Sequence, residues 1–234
     1  VRDLKKYYKV PMGINCAVDG VTFTINKGET LGVVGESGCG KSTLGRMIIR
    51  LIDSTDGQIF LNGKDITHVR GRELKKAREK MQMIFQDPYS SLNPRLRCES
   101  TVIEPLKNSG RFKSKAELHE EANRLMDLVG IDYRLRQAYP HELDGGRRQR
   151  VGIARALAFR PDFIVCDEPV SALDVSIQAQ ILNLLKELQQ QFGMAYMFIT
   201  HDLSVVRYIS DHICVMYLGQ MVEKAPTKEL FRMS

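Results

Sequence analysis

The stretch Gly35-Glu36-Ser37-Gly38-Cys39-Gly40-Lys41-Ser42-Thr43 constrains this chain more than any other. It follows the apolar run Thr30-Leu31-Gly32-Val33-Val34 and precedes Leu44, Met47, Ile48, Ile49, Leu51 and Ile52. That order predicts a buried strand, a glycine-rich turn and a helix, with G-x-x-x-x-G-K-S in the turn. Glycines at 35, 38 and 40 open backbone angles that a Cβ forbids. Successive N–H groups can then point inward at the start of a helix, where aligned peptide dipoles favour an anion. Lys41 is placed to reach the β- and γ-phosphates, and the Ser42 hydroxyl to ligate Mg²⁺. The pattern implies that the chain binds a nucleoside triphosphate.

At 234 residues the chain holds one α/β domain, or a core with one sizeable insertion. Its apolar and charged fractions, 43% and 26%, are those of an ordinary water-soluble fold. No apolar run approaches the roughly 18 residues that a membrane span needs. The opening Val1-Arg2-Asp3-Leu4-Lys5-Lys6 has no Met and no signal-peptide core. Like the ending Phe231-Arg232-Met233-Ser234, it reads as a trimmed boundary. Net charge is +6, yet the basic residues are spread along the sequence with no Lys/Arg stripe interleaved with aromatics. A mildly basic solvated surface fits that pattern better than a nucleic-acid partner. Cys16, Cys39, Cys98, Cys166 and Cys214 form no C-x-x-C pair or metal-ligand spacing. Their odd count, inside expected buried strands and the glycine-rich loop, points to reduced thiols in a cytosolic setting.

In chain order, residues 4–10 and the alternating 21–25 read as strands, and Asn26-Lys27-Gly28 as a turn into the strand at 30–34. Residues 57–61 followed by Asn62-Gly63 read as a hairpin. A short charged helix over 72–78 leads to a strand at 81–85, and 89–94 reads as a loop. From about 99 to 158 the periodicity is helical, with Leu118, Ala122, Leu125, Met126 and Val129 on one face. Residues 163–166 and 196–199 are continuous apolar runs, as strands buried on both faces require. Ile177, Ile181, Leu184, Leu185 and Leu188 form an apolar helical stripe between them, so the order implies a parallel sheet with right-handed crossovers. The expected architecture is an α/β core made of 1–87 and 156–234, interrupted by a helical subdomain over 88–155.

Asp167 and Glu168 follow the buried run directly. Carboxylates at the carboxyl end of a central parallel strand lie where open α/β sheets take ligands. Asp167 suits a metal's coordination shell, and Glu168 suits orienting or deprotonating a water. His201 follows the run at 196–199 and is a candidate for sensing the terminal phosphate. Gln86 holds the same place after 81–85 and suits a metal or water contact.

Taken together, these stations resemble the ATPase subunit of an ATP-binding cassette transporter. Residues 35–43 match its Walker A loop, and 163–168 its Walker B strand with the catalytic glutamate. Gln86 matches the Q-loop, Ser171-Ala172-Leu173-Asp174 the D-loop, and His201 the switch histidine. The resemblance extends over essentially the whole chain. It implies a P-loop NTPase (RecA-like) core with a parallel sheet, an N-terminal antiparallel β region and an inserted helical subdomain. It also implies an aromatic stacked on adenine, with Tyr8 first and Tyr7 next. The implied cofactors are ATP and Mg²⁺. Implied partners are a second ATPase subunit, two transmembrane permease subunits and, indirectly, an extracytoplasmic solute-binding protein, with no nucleic acid. The implied location is the cytoplasmic face of the cell membrane. Gln86-Asp87-Pro88-Tyr89-Ser90-Ser91-Leu92-Asn93-Pro94-Arg95 resembles the dipeptide/oligopeptide importer branch, whose pattern nickel importers largely share. Soluble cassette proteins of DNA repair or the ribosome are the other class. The long coiled-coil insertion of the first and the two cassettes in one chain of the second do not occur in this sequence.

One segment departs from the pattern. The family signature, usually L-S-G-G-Q, stands here as Leu143-Asp144-Gly145-Gly146-Arg147. In the family this segment closes over the γ-phosphate bound by the opposite subunit. A carboxylate there faces like charge, and unit charges about 4 Å apart cost about 4 kcal/mol even at a surface-type dielectric. Arg147 can offset part of that by pairing with Asp144 or by reaching the phosphate. The expected consequence is an asymmetric heterodimer of paralogous cassettes.

Overall fold

The computed structural model describes residues 1–11 and 13–232, with Pro88 and Ser90 described by backbone alone; Met233 and Ser234, part of the ending considered above, lie outside the described residues. The elements run β1 (Arg2–Val10), β2 (Gly13–Val21), β3 (Thr30–Gly35), α1 (Lys41–Ile48), β4 (Asp56–Gln58), β5 (Phe60–Leu61), β6 (Lys64–Asp65), α2 (Gly71–Lys80), β7 (Met81–Ile84) and α3 (Pro88–Ser91). They continue as α4 (Cys98–Asn108), α5 (Lys115–Leu128), α6 (Gly145–Leu157), β8 (Phe163–Asp167), α7 (Val175–Phe192), β9 (Ala195–Ile199), α8 (Leu203–Ile209), β10 (His212–Tyr217), β11 (Gln220–Pro226) and α9 (Thr227–Leu230).

The main sheet has the order β11-β10-β3-β9-β8-β7. Strands β10, β3, β9, β8 and β7 are parallel, and β11 closes one edge antiparallel. Every residue of β8 and β9 is buried, as their unbroken apolar sequences require. Helix α7 turns Ile181, Leu184, Leu185 and Leu188 inward and ends at Gly193, whose φ of 67° supplies the left-handed residue that closes a helix. Each such aliphatic side chain contributes about 1.5–3 kcal/mol of burial. A second, antiparallel sheet, β2-β1-β4, packs over α1 through Leu4, Val18 and Val21. Helices α3 to α6 follow β7, and the apolar faces of α4, α5 and α6 share one core with β8, β9 and α7.

Two local expectations are corrected. The second strand is Gly13–Val21, while 22–25 is irregular, because pairing with β1 in the register Lys9↔Ile14 to Leu4↔Val21 outweighs the alternation of 21–25. The loop expected over 89–94 begins as the helical turn α3, where the Asp87 carboxylate caps the Tyr89 N–H at 2.8 Å. The hairpin is where Asn62-Gly63 placed it: φ is 50° and 79° at these two residues, and Phe60 and Leu61 pair with Asp65 and Lys64. Cys39, Cys98, Cys166 and Cys214 are buried and free, but Cys16 is exposed.

Gly32 lets α8 lie directly on β3. A Cβ there would fall 2.1 Å from Val206 Cγ2 and 2.5 Å from Ser210 Oγ. Gly32→Ala should therefore destabilise the fold by about 1–3 kcal/mol, the usual cost of overpacking, read as a lower denaturation midpoint with an unchanged m-value.

Candidate functional site

Parallel pairing sets the strand ends level. Cys166 lies beside Ile84 on one side and Phe198 on the other, and Val33 lies beside Ile199. The residues that follow these ends, Gln86, Glu168, His201 and the loop after β3, therefore meet in one place. They line an open cleft of about 760 Å³ with Tyr8, Ser37, Gly38, Gly40, Lys41, Ser42 and Thr43.

At Gly35 and Gly40 the loop is held by contacts that allow no side chain. A Cβ on Gly35 would sit 2.2 Å from the Met216 carbonyl oxygen, and one on Gly40 2.0 Å from that of Ala17; φ is 154° and 103° at these positions. Gly38, at φ 80°, would meet nothing within 4 Å and borders the cleft. Lys41 starts α1 and is only 6% exposed. Its ammonium donates to the carbonyl oxygens of Gly35 (2.8 Å) and Glu36 (2.7 Å) and lies 3.8 Å from Cys39 Sγ. A buried ammonium held by dipoles alone is a ready partner for an anion entering the cleft. Gly35, Glu36 and Cys39 do not line the cleft: Cys39 is buried and Glu36 is exposed outside it.

Ser42 Oγ donates to Asp167 Oδ1 at 2.7 Å. Burial is the largest influence on Asp167 and raises its carboxyl above the ordinary value, against the Ser42 hydrogen bond and the charges of Arg46 and Lys41. Among the described residues no group of three or more His, Cys, Asp or Glu is placed to hold a metal ion. A hydroxyl beside a carboxylate, with open space for phosphate oxygens and water, nevertheless fits the sparse protein ligation typical of Mg²⁺. Glu168 has φ of 46°, a left-handed conformation rare for a residue with a side chain, and its N–H donates to the Ile199 carbonyl at 2.9 Å. Its carboxylate accepts from Gln86 Nε2 at 2.9 Å and lies 3.4 Å from His201 Nδ1. Three strand ends thus converge on one carboxyl group.

Tyr8 lines the cleft, with the Lys6 ammonium 5.1 Å from its ring centroid. Tyr7 points to the other face of β1, where its hydroxyl donates to Asp19 Oδ1 at 2.5 Å. The sequence reading missed Asn15, Cys16 and Ala17 from β2 and Leu218 and Gly219 from the β10–β11 turn, all of which line the cleft. The turn is tied down by Gly219 N–H to Cys39 O and Asp19 N–H to Gly219 O. Only the Leu218-Gly219 turn pattern hinted at it, and nothing in it named its neighbour.

Asp144 and Arg147 are not part of this cleft. Asp144 is the N-cap of α6, its carboxylate accepting from the Arg147 N–H at 2.8 Å and lying 3.2 Å from Arg147 Nη1. Cβ atoms on Gly145 and Gly146 would fall 3.0 Å from Leu173 Cδ2 and 2.5 Å from Ile177 Cγ2, so this helix start packs closely on the segment entering α7. In that segment Ser171 Oγ donates to the Glu168 carbonyl at 3.1 Å, Ala172 is exposed, and Asp174 precedes α7.

A family model described as "ABC transporter" matches residues 18–171. The chain belongs to the ABC transporter family. The oligopeptide transport ATP-binding protein OppF of Bacillus subtilis is 53% identical over 232 residues, covering 99% of this chain and 76% of its own. AppF of the same organism, also an oligopeptide transport ATP-binding protein, is 51% identical over 239 residues, covering 99% and 72%. Among solved structures, the dimeric ATP-binding cassette MJ0796 in a post-hydrolysis state with ADP and Pi superposes with a TM-score of 0.88 at 31% identity, covering 97% of each chain. The cassette is an ATP hydrolase with the expected mixed α/β fold. Among the described residues no helix is long and apolar enough to cross a membrane.

Burial pushes the Cys98 thiol up to about 11 and Cys214 up to about 12, and raises Cys166 further. At neutral pH a maleimide should therefore label Cys16 far faster than these thiols, and saturating MgATP should slow that labelling several-fold. Mass spectrometry of the timed reaction decides it; labelling of Cys16 indifferent to nucleotide would separate β2 from the binding site.

Proposed function

We propose that this chain is the ATPase subunit of an oligopeptide importer, peripheral to the cytoplasmic face of the membrane, clamping MgATP between itself and a second cassette. The convergence of Gln86, Glu168 and His201 beside the loop over 35–43 carries this reading. The names of the relatives support the peptide substrate, and the dimeric solved cassette supports the clamp.

In this reading Tyr8 stacks on the adenine, and the N–H groups and side chains of 35–43 surround the phosphates. The Lys41 ammonium exchanges carbonyl partners for the β- and γ-phosphate oxygens. Ser42, Asp167 and Gln86 would hold Mg²⁺, which when bound supplies charge neutralisation on those oxygens. Glu168 orients the attacking water and accepts its proton, while His201 fixes the Glu168 carboxylate and reports the γ-phosphate. Gln86 donates to Glu168 through Nε2, which leaves Oε1 as the atom that would face the metal, so one amide can serve both the carboxylate and the metal site.

Partner contacts follow the same logic. Phe85, Met83, Leu51, Pro105 and Phe159 line a groove of about 370 Å³ beside the Gln86 loop, between the sheet and α4. This groove takes a short cytoplasmic helix of a permease subunit, two permease subunits serving two cassettes, and the solute-binding protein acts only through them. The inserted helices 88–155 move with that docking. Segment 171–174 lies at the cassette–cassette contact.

Asp144 makes the pair of sites unequal. Carboxylates are among the best N-caps, so Asp144 suits its own helix, but toward a partner's γ-phosphate it repels. The Asp144–Arg147 pair is exposed and worth little by itself. The competent site is then formed by this chain's own loop and the intact signature of a paralogous partner. Mixed with that partner, the cassette should hydrolyse ATP at least tenfold faster than alone. Asp144→Ser should raise the rate of this chain alone with little change in stability, since serine also caps. Strong turnover by the unmixed wild-type chain would sink the asymmetry.

Glu168→Gln should cut turnover about 10²–10⁴-fold while ATP binding survives and the dimer population with ATP rises. Gel filtration with ATP reads the second effect; a dimer that weakens instead would contradict the scheme. Affinity capture from native membranes, with the bound permease and solute-binding subunits identified by mass, tests the peptide substrate.

A further inference from the structure

The fold gathers cations that are far apart in sequence. On the solvent side of α2, Arg72, Lys75 and Lys76 are exposed. In the turn joining α4 to α5, Lys107, Arg111, Lys113 and Lys115 are exposed as well. The two stretches are neighbours: Lys75 Nζ donates to the Asn108 carbonyl at 3.2 Å. Among the described residues only Lys75 of these seven brings its side-chain nitrogen within 4.0 Å of a carboxylate, that of Glu79 at 4.0 Å, while the Lys113 backbone N–H donates to Glu117 Oε2 at 2.9 Å. Basic residues spread along the sequence are thus brought together on one face by the fold.

We propose that this strip is a docking face for an anionic lipid bilayer. It borders the groove assigned above to a permease helix, since Arg78 of α2 and Glu104 and Asn108 of α4 line that groove. A groove that receives a helix from a membrane subunit opens toward the bilayer, so a strip on its rim lies near the headgroups. This step rests on the docking reading of the groove. Charge complementarity selects the occupant: each Lys or Arg near an anionic leaflet contributes about fivefold in affinity, within a Debye length of about 10 Å. Nucleic acid is disfavoured because the only aromatic in the strip, Phe112, is half-buried and packs against the helical core rather than offering a stacking face. The strip orients the cassette so that the groove meets the permease, and it makes the assembly's activity depend on lipid charge and ionic strength.

The test uses the purified full chain and vesicles of phosphatidylcholine with or without phosphatidylglycerol. Wild type should sediment with the anionic vesicles, release at high salt, and ignore the neutral ones. Lys76→Glu/Lys113→Glu/Lys115→Glu should weaken that binding on the order of 100-fold with ATP binding unchanged. The charge-matched control Lys27→Glu/Lys224→Glu/Lys228→Glu, on other faces, should bind within a few-fold of wild type. Equal loss in both triples, or no binding by wild type, overturns the proposal. So does retention on an oligonucleotide without retention on anionic vesicles. Phe85→Asp separates the two readings: it should abolish capture of permease subunits and leave vesicle binding intact. If capture depends on Phe85 while vesicles are ignored, the strip falls and the groove stands.

Discussion

The level register of β7, β8, β9 and β3 is the constraint on which the site depends. Parallel hydrogen bonding fixes Ile84 beside Cys166, Asp167 beside Ile199, and Val33 beside Ile199. A one-residue slip of any strand would exchange the side chains packed on the two faces of the sheet and withdraw its terminal side chain from the cleft. Burial of β8 and β9 on both faces therefore maintains the chemistry as well as the fold. Helix α1 completes the arrangement because Gly45 allows it to approach β8, where a Cβ would fall 2.8 Å from Val165 Cγ1. That closeness is what brings Ser42 to hydrogen-bond distance of Asp167.

Much of this was legible in the sequence because it is written in short, local codes. The glycine-rich loop, the buried runs ending in Asp167 and Ile199, and the Asn62-Gly63 turn each specify backbone geometry within a few residues. Gln86, Glu168 and His201 could be placed at strand ends from order alone. What stayed hidden depends on contacts distant in sequence. Strand β2 is fixed by pairing with β1, not by its own alternation, so its start was misplaced and Asn15, Cys16 and Ala17 were missed. Leu218 and Gly219 reach the cleft only because the β10–β11 turn lies against the loop after β3. Tyr8 stood ahead of Tyr7 only by resemblance, and it is pleating that sends Tyr7 to Asp19 and Tyr8 to the cleft. The basic strip joins two stretches some thirty residues apart, and no window along the chain contains it.

The segment 143–147 brings two demands on one residue into conflict. At the start of α6 an oxygen acceptor is needed for the Arg147 N–H, and Asp144 supplies it. Serine would satisfy the same N–H without bringing charge, so the capping requirement alone does not explain a carboxylate. Gly145 and Gly146 pack against Leu173 and Ile177, where a Cβ would fall 3.0 Å and 2.5 Å from their methyl carbons. Position 144 is thus the place where the sequence can vary without disturbing that packing, and where variation acts directly on whatever the helix start faces. The same glycines place the start of α6 against the segment that follows Glu168. In the proposed pairing of two cassettes, inequality between the sites would then rest on one side chain, with the fold of the cassette unaltered.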